Sequence, residues 1–122
     1  MEDPLTRRVI GMAIDVHRHL GPGLLESVYE GCLCQELLDA RVAHNRQYAL
    51  PMVYKGKQLA ASFFMDIVVD DILVLEIKAV EHILPVHEAQ LLTYLRLSGI
   101  RTGLLINFNS PTLKDGIRRR RL

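Results

Sequence analysis

A carboxylate and an ammonium two residues apart, Glu76 and Lys78, interrupt the apolar run from Ile72 to Val80. A strand buried on both faces reads as continuous Val, Ile and Leu, as Ile72-Leu73-Val74-Leu75 does. At i and i+2, Glu76 and Lys78 point to the same face, about 6.6 Å apart along the strand. Burying both is costly unless partners pair them. Asp66 closes the preceding stretch Phe63-Phe64-Met65-Asp66 and is a second carboxylate within reach of the first. Two carboxylates on adjacent strands together with a hard divalent cation would supply the pairing. Such an arrangement can hydrolyse a phosphodiester.

These groups depend on the elements that carry them. Leu5 to Leu20 reads as a helix, with Val9, Ile10, Ala13, Ile14, His17 and Leu20 on one face. Gly21-Pro22-Gly23 breaks it. A second helix is expected from about Leu24 to Ala40, its inner stripe formed by Leu25, Val28, Tyr29, Cys32, Leu33 and Glu36 or Leu37. The period then changes to that of strands: Gln47 to Tyr54, a turn at Lys55-Gly56-Lys57, Gln58 to Val69, and Ile72 to Val80. Pro85 opens a helix that runs to Ser98 and stops at Gly99. Arg101 to Phe108 is a final buried strand, Asn109-Ser110-Pro111 a turn, and the chain ends in Arg118 to Arg121 and Leu122. The order α-α-β-β-β-α-β reads as an α/β domain. One geometric condition follows. A two-residue turn at Asp70-Asp71 would send Asp66 and Glu76 to opposite faces, so the loop must be odd-numbered, such as Asp70-Asp71-Ile72, or contain a bulge.

With 122 residues, 49% of them apolar, the chain suits one domain, residues 1–122, with a real core. Aromatics are only 6% and Trp is absent, so that core is mostly Leu, Val and Ile. A net charge of +1 excludes a general polycation; contact with nucleic acid must come from local basic patches. Met1-Glu2-Asp3-Pro4 lacks the basic and apolar regions of a signal peptide, and no apolar run approaches the ~20 residues that cross a bilayer, so no membrane association is expected. Cys32 and Cys34 point to nearly opposite sides of a helix and have no further cysteine to complete a zinc site. They read as free thiols of a cytoplasmic protein.

Four pieces of the chain fall into one pattern. Gly23-Leu24-Leu25-Glu26-Ser27-Val28-Tyr29 spells G-x-x-E-x-x-Y at the start of the second helix; Asp66 lies on the second strand; Glu76-Ile77-Lys78 lies on the third; Gln90 and Tyr94 share a face of the following helix. Together with His17 to Tyr29, Pro85 to Gln90 and Leu105 to Asn109, they resemble the GxxExxY protein family, a nuclease-like branch of the PD-(D/E)xK superfamily. The resemblance covers nearly the whole chain and implies the PD-(D/E)xK nuclease-like core, a mixed sheet flanked by helices; Met65 stands where the superfamily's name has Pro. It implies that Asp66 and Glu76 hold Mg²⁺ or Mn²⁺, that the Ile77 carbonyl adds a ligand, and that Glu26 completes or supports the metal shell. It implies that Lys78 orients or activates the water or stabilises charge on the phosphorane, and that Gln90 and Tyr94 place the nucleic-acid backbone.

Each residue also has a plainer reading. Lys78 alone is a strand lysine with its stem on apolar surface. Glu26 suits the first turn of any helix, and Gln90 and Tyr94 suit a polar helix stripe. His17 reads as a core histidine, with a supporting hydrogen bond to a site carboxylate as the alternative; Tyr29 takes the same supporting place. His82 and His87 straddle Pro85 and do not suggest a metal pair. The run beginning Arg118-Arg119 is a solvated tail or a phosphate grip without sequence preference. The function expected is metal-dependent hydrolysis of nucleic-acid phosphodiesters, DNA and RNA not being distinguished. The alternative is a non-catalytic module on the same fold that binds nucleic acid or a protein. The chain is small, so recognition would fall to a homodimer or to a partner.

Overall fold

The computed structural model describes residues 3–122. Helix α1 (Pro4–Leu20) begins where Asp3 caps it: the carboxylate accepts the Thr6 N–H at 2.8 Å and the Thr6 hydroxyl at 3.0 Å. The loop to helix α2 (Glu26–Asp39) turns through Gly21 and Gly23 at φ 68° and 102°, a region that favours glycine. Tyr29 reaches back from α2 to hold that loop. Its hydroxyl donates to the Gly21 carbonyl at 2.5 Å and accepts the Leu24 N–H at 3.1 Å. The ring is fully buried, stacked on Phe108 at 4.6 Å.

Strands β1 (His44–Tyr54) and β2 (Lys57–Val69) form a long antiparallel hairpin. Its turn, Lys55-Gly56, has positive φ at both residues, as a two-residue hairpin turn prefers. Strand β3 (Leu73–Lys78) pairs antiparallel with β2. Helix α3 (Pro85–Ser98) crosses over to β4 (Thr102–Asn107), which lies parallel to β3. A short 3-10 turn (Leu113–Gly116) leads to β5 (Ile117–Arg121), antiparallel to β4. The sheet order is β1-β2-β3-β4-β5.

Alternation along the strands divides the core in two. Ile67, Val69, Leu73, Leu75 and Ile77 pack with Val9, Ala13, Leu33 and Leu37 of α1 and α2. Val68, Val74 and Leu105 pack with Leu91, Tyr94 and Leu95 of α3. Gly103 permits the second contact, because a Cβ there would stand 2.7 Å from a Leu91 methyl. β3 is central and buried on both faces from Leu73 to Ile77. No helix among the described residues is long and apolar enough to cross a membrane.

Three expectations need correction. The sheet has five strands, not four: the Arg118–Arg121 run is edge strand β5 rather than a solvated tail. Leu25 and Val28 are exposed, and α2 instead turns Tyr29, Glu30, Leu33 and Leu37 inward. Leu20 is exposed at the end of α1.

Candidate active site

The loop between β2 and β3 is Asp70-Asp71-Ile72, with Asp70 and Asp71 at φ 51° and 57°. Three residues satisfy the parity condition. Val69 pairs with Leu73, Val68 with Val74 and Ile67 with Leu75. The same register sets Asp66 opposite Glu76, but there the ladder ends. In its place the Asp66 carboxylate accepts the Ile77 N–H at 2.8 Å, and the Glu76 carboxylate accepts the Asp66 N–H at 3.3 Å. Two side chains have taken over the backbone's hydrogen bonds, which lets the strands part and brings both carboxyls into the gap.

Both are poorly solvated. Burial pushes the Glu76 carboxyl up to about 9, the Asp66 charge adding to the effect while Lys78 opposes it. Burial likewise raises Asp66, against the hydrogen bond from Ile77. Lys78 is half-buried at the strand end, and no described residue hydrogen-bonds or ion-pairs with its ammonium. Its carbonyl accepts the Phe108 N–H at 2.8 Å.

Two elements brace this pair. In β1, Gln47 sits opposite Asp66 at φ 53°, an uncommon conformation inside a strand. Its amide nitrogen bridges Glu30 at 2.9 Å and Asp66 at 3.3 Å. Glu30 is buried on α2 and is also held by the Arg46 guanidinium at 2.6 Å. One turn earlier, Glu26 accepts the Ala79 N–H at 3.3 Å, just past Lys78. The G-x-x-E-x-x-Y segment therefore has a physical sense. Gly23 supplies the turn, Tyr29 clamps it, and Glu26 is set at the end of β3.

On the other face, Gln90 donates to the Tyr94 hydroxyl at 3.0 Å. Tyr94 is buried, its hydroxyl pushed up by burial and by the Glu76 and Asp66 charges, and its ring meets Phe63 at 5.8 Å. Arg118 pairs with Leu105, which pairs with Glu76, so all three share a face across about 10 Å of sheet. Arg119 faces the other way, toward Asp3 at 3.3 Å. His17 bonds the Ser110 carbonyl at 2.8 Å, not a site carboxylate, and Tyr29 holds the α1–α2 loop. Both support the scaffold rather than the carboxylates. His87 accepts the Leu84 N–H at the start of α3. Cys32 and Cys34 are free, and burial raises the Cys34 thiol.

Among the described residues no group of three or more His, Cys, Asp or Glu side chains is gathered around one point. The pair Asp66–Glu76 nevertheless suits a hard cation. It offers carboxylate oxygens in a gap where burial, before any neighbouring charge, raises both carboxyls, and Mg²⁺ is commonly held by one or two carboxylates with waters completing its shell. Glu30, Gln47 and Asn107 had no place in the sequence-derived site. Glu30 is four residues after Glu26 and so on the same helical face, a usable signal. Asn107 ties the turn after β3 by bonding Val80 through both its carbonyl, at 3.0 Å, and its amide, at 2.9 Å.

The helices, the mixed sheet and the carboxylates at the parted strands place the molecule among the nuclease-like α/β folds. The chain belongs to the PD-(D/E)XK nuclease superfamily, whose family model matches residues 3–120. No curated protein and no solved structure matches it significantly.

Proposed function

We propose that this chain is a single-domain nuclease of the GxxExxY branch that hydrolyses nucleic-acid phosphodiester bonds with Mg²⁺ or Mn²⁺. The observation that carries this reading is the meeting of Asp66 and Glu76 where their strands part, both carboxyls raised, with Lys78 two residues on. Asp66 and Glu76 would hold the cation, with the Ile77 carbonyl beside them and Glu26 in support from α2. Bound there, the cation supplies positive charge and a more acidic attacking water.

The chain's own groups do the remaining work. Lys78 sets an ammonium where negative charge develops on the phosphorus oxygens, and it is not committed to another side chain among the described residues. Gln47, held by Glu30, fixes the Asp66 carboxylate. Gln90 and Tyr94 bound the site on the α3 face, and Arg118 offers a phosphate contact in the same row as Glu76. Recognition beyond these groups belongs to a second copy, a partner or an element outside the core.

One observation favours a second reading. The Ile77 and Asp66 N–H groups already occupy the two carboxylates, as they would in a non-catalytic module that keeps the fold to bind nucleic acid or protein. A cleavage screen over DNA and RNA with Mg²⁺ and Mn²⁺ separates the two. The nuclease reading expects cation-dependent cleavage that Glu76→Ala abolishes and Lys78→Ala lowers by about 10²–10³-fold. Cleavage that survives both variants, or none from any substrate, rejects it.

A further inference from the structure

We propose that the β1–β2 hairpin is an arm that holds single-stranded nucleic acid and leads it to the Asp66–Glu76 gap; this rests on the nuclease reading above. The arm is distinct from the rest of the sheet. β2 pairs with β3 only from Ile67 to Val69, so its length from Lys57 to Asp66 is paired with β1 alone. Leu50 is the last buried residue on β1, and Phe63 is partly buried opposite it. Beyond them the hairpin runs about 17 Å into solvent, from Leu50 to the turn at Lys55, at ~3.3 Å per residue.

Two features identify what would lie along it. The first is charge. From His44 to Met65 there is no Asp or Glu, while Arg46, Lys55 and Lys57 exceed by themselves the chain's whole net charge of +1. Arg46 is neutralised by Glu30, which leaves the two lysines at the tip. The second is aromatic surface. Tyr48 and Tyr54 are 41% and 57% exposed, and Lys55 lies over the Tyr54 ring at 5.4 Å. β1 has the single residue Met52 where β2 has three at the register shift between Pro51 and Val53, so alternation along β1 puts both tyrosines on the face of Leu50, which packs toward α3. Lys57, paired with Tyr54, shares that face. Glu76, Tyr94 and Arg118 belong to the same side of the sheet. A strip of exposed rings and lysines thus ends at the carboxylates.

Exposed rings stack on bases whose faces are free, and lysines track phosphates; together they select an unpaired strand over a duplex, which hides its base faces. Because the register shift sets three residues of β2 against one of β1, the arm from Tyr54 to Gln47 is about 23 Å long, the length of roughly seven stacked nucleotides at ~3.4 Å each.

The test is fluorescence anisotropy of the full chain in EDTA, so that binding is read without cleavage. The probes are labelled single-stranded oligonucleotides of four and twenty nucleotides and a twenty-base-pair duplex. The twenty-nucleotide strand should bind at least tenfold tighter than the four-nucleotide strand or the duplex. Tyr48→Ala with Tyr54→Ala should remove at least tenfold of that affinity, and the corresponding Phe replacements should restore it. Lys55→Ala with Lys57→Ala should lower the salt slope by about 1.4, at ~0.7 for each phosphate that a lysine no longer neutralises. Affinity indifferent to all four positions, or preference for the duplex, overturns the proposal. So does sedimentation showing that the Tyr pair holds two copies together. Cleavage retained with arm-independent binding rejects only the arm; arm-dependent binding with no cleavage under any cation rejects the nuclease reading and keeps the arm.

Discussion

The two ends of this sheet treat their carboxylates in opposite ways. At the end where β3 and β4 begin, Asp3 shares a cavity with Leu73, Thr102 and Arg121. It caps α1 and meets Arg119, and the Thr6 N–H in particular holds its carboxyl below the usual range. At the other end Asp66 and Glu76 face one another across a parted ladder, and burial drives both upward. The first end has settled its charges and gains stability from them. The second keeps acid groups whose charged forms the fold alone does not satisfy, and α/β sheets place their ligands at this end, outside the carboxyl ends of parallel strands. A perturbed carboxyl in such a place is a mark of function.

The contrast can be broken most sharply through Lys78. Lys78→Ala should lower single-turnover cleavage by about 10²–10³-fold, the size of losing one oriented charge-stabilising group, while binding of the same oligonucleotide in EDTA changes less than threefold. Equal losses in both would make Lys78 a binding group only.

Next in size is the stability cost of the site. The folded protein keeps the Glu76 proton up to about 9, against an ordinary value of 4.5, and so binds more protons than the unfolded chain between those limits. The cost is absent below pH 4.5 and grows as pH rises toward 9. Glu76→Gln should therefore stabilise the cation-free protein at pH 8 by about 1–4 kcal/mol and leave it nearly unchanged at pH 4, read by urea denaturation.

The smallest effect belongs to the settled end, with the opposite sign. Asp3→Ala should destabilise by about 0.5–2 kcal/mol at pH 7. Because the Asp3 carboxyl is lowered from 3.8, its contribution is present above that value and fades as pH falls through the folded one, so the deficit should shrink in acid. A deficit that persists unchanged at pH 2 would mean that the cap does not act through its charge.

Much of this was legible in the residues. Pro85 and Ser98 bound α3 in the sequence as they do in the structure, because Pro and Gly mark those ends through fixed and left-handed φ. The buried β3 showed in its apolar run, and strand parity, given that Asp66 and Glu76 share a site, called for an odd loop such as Asp70-Asp71-Ile72 or a bulge. β5 was not legible. Four arginines read as solvated, since the partners that make an edge strand tenable, Asp3 for Arg119 and Glu88 for Arg120, lie far away in sequence. Helical spacing put Leu25 and Val28 inside, but α2 is rotated to bury Glu30, whose partners Arg46 and Gln47 come from the next element. The left-handed turn of Gln47 has no local signature, because it answers to the carboxylates on either side of it.

The central claim is that Asp66 and Glu76 together form a site for a divalent cation. Calorimetric titration of the full chain with Mn²⁺ at about pH 7.5, in two buffers of different ionisation enthalpy, tests it without any substrate. At that pH Glu76, raised to about 9, holds its proton, so cation binding must release it. The account predicts saturable binding at or below millimolar Mn²⁺, with about one proton released per site, lost in both Asp66→Asn and Glu76→Gln. Absence of binding, or binding that both variants retain, would contradict it.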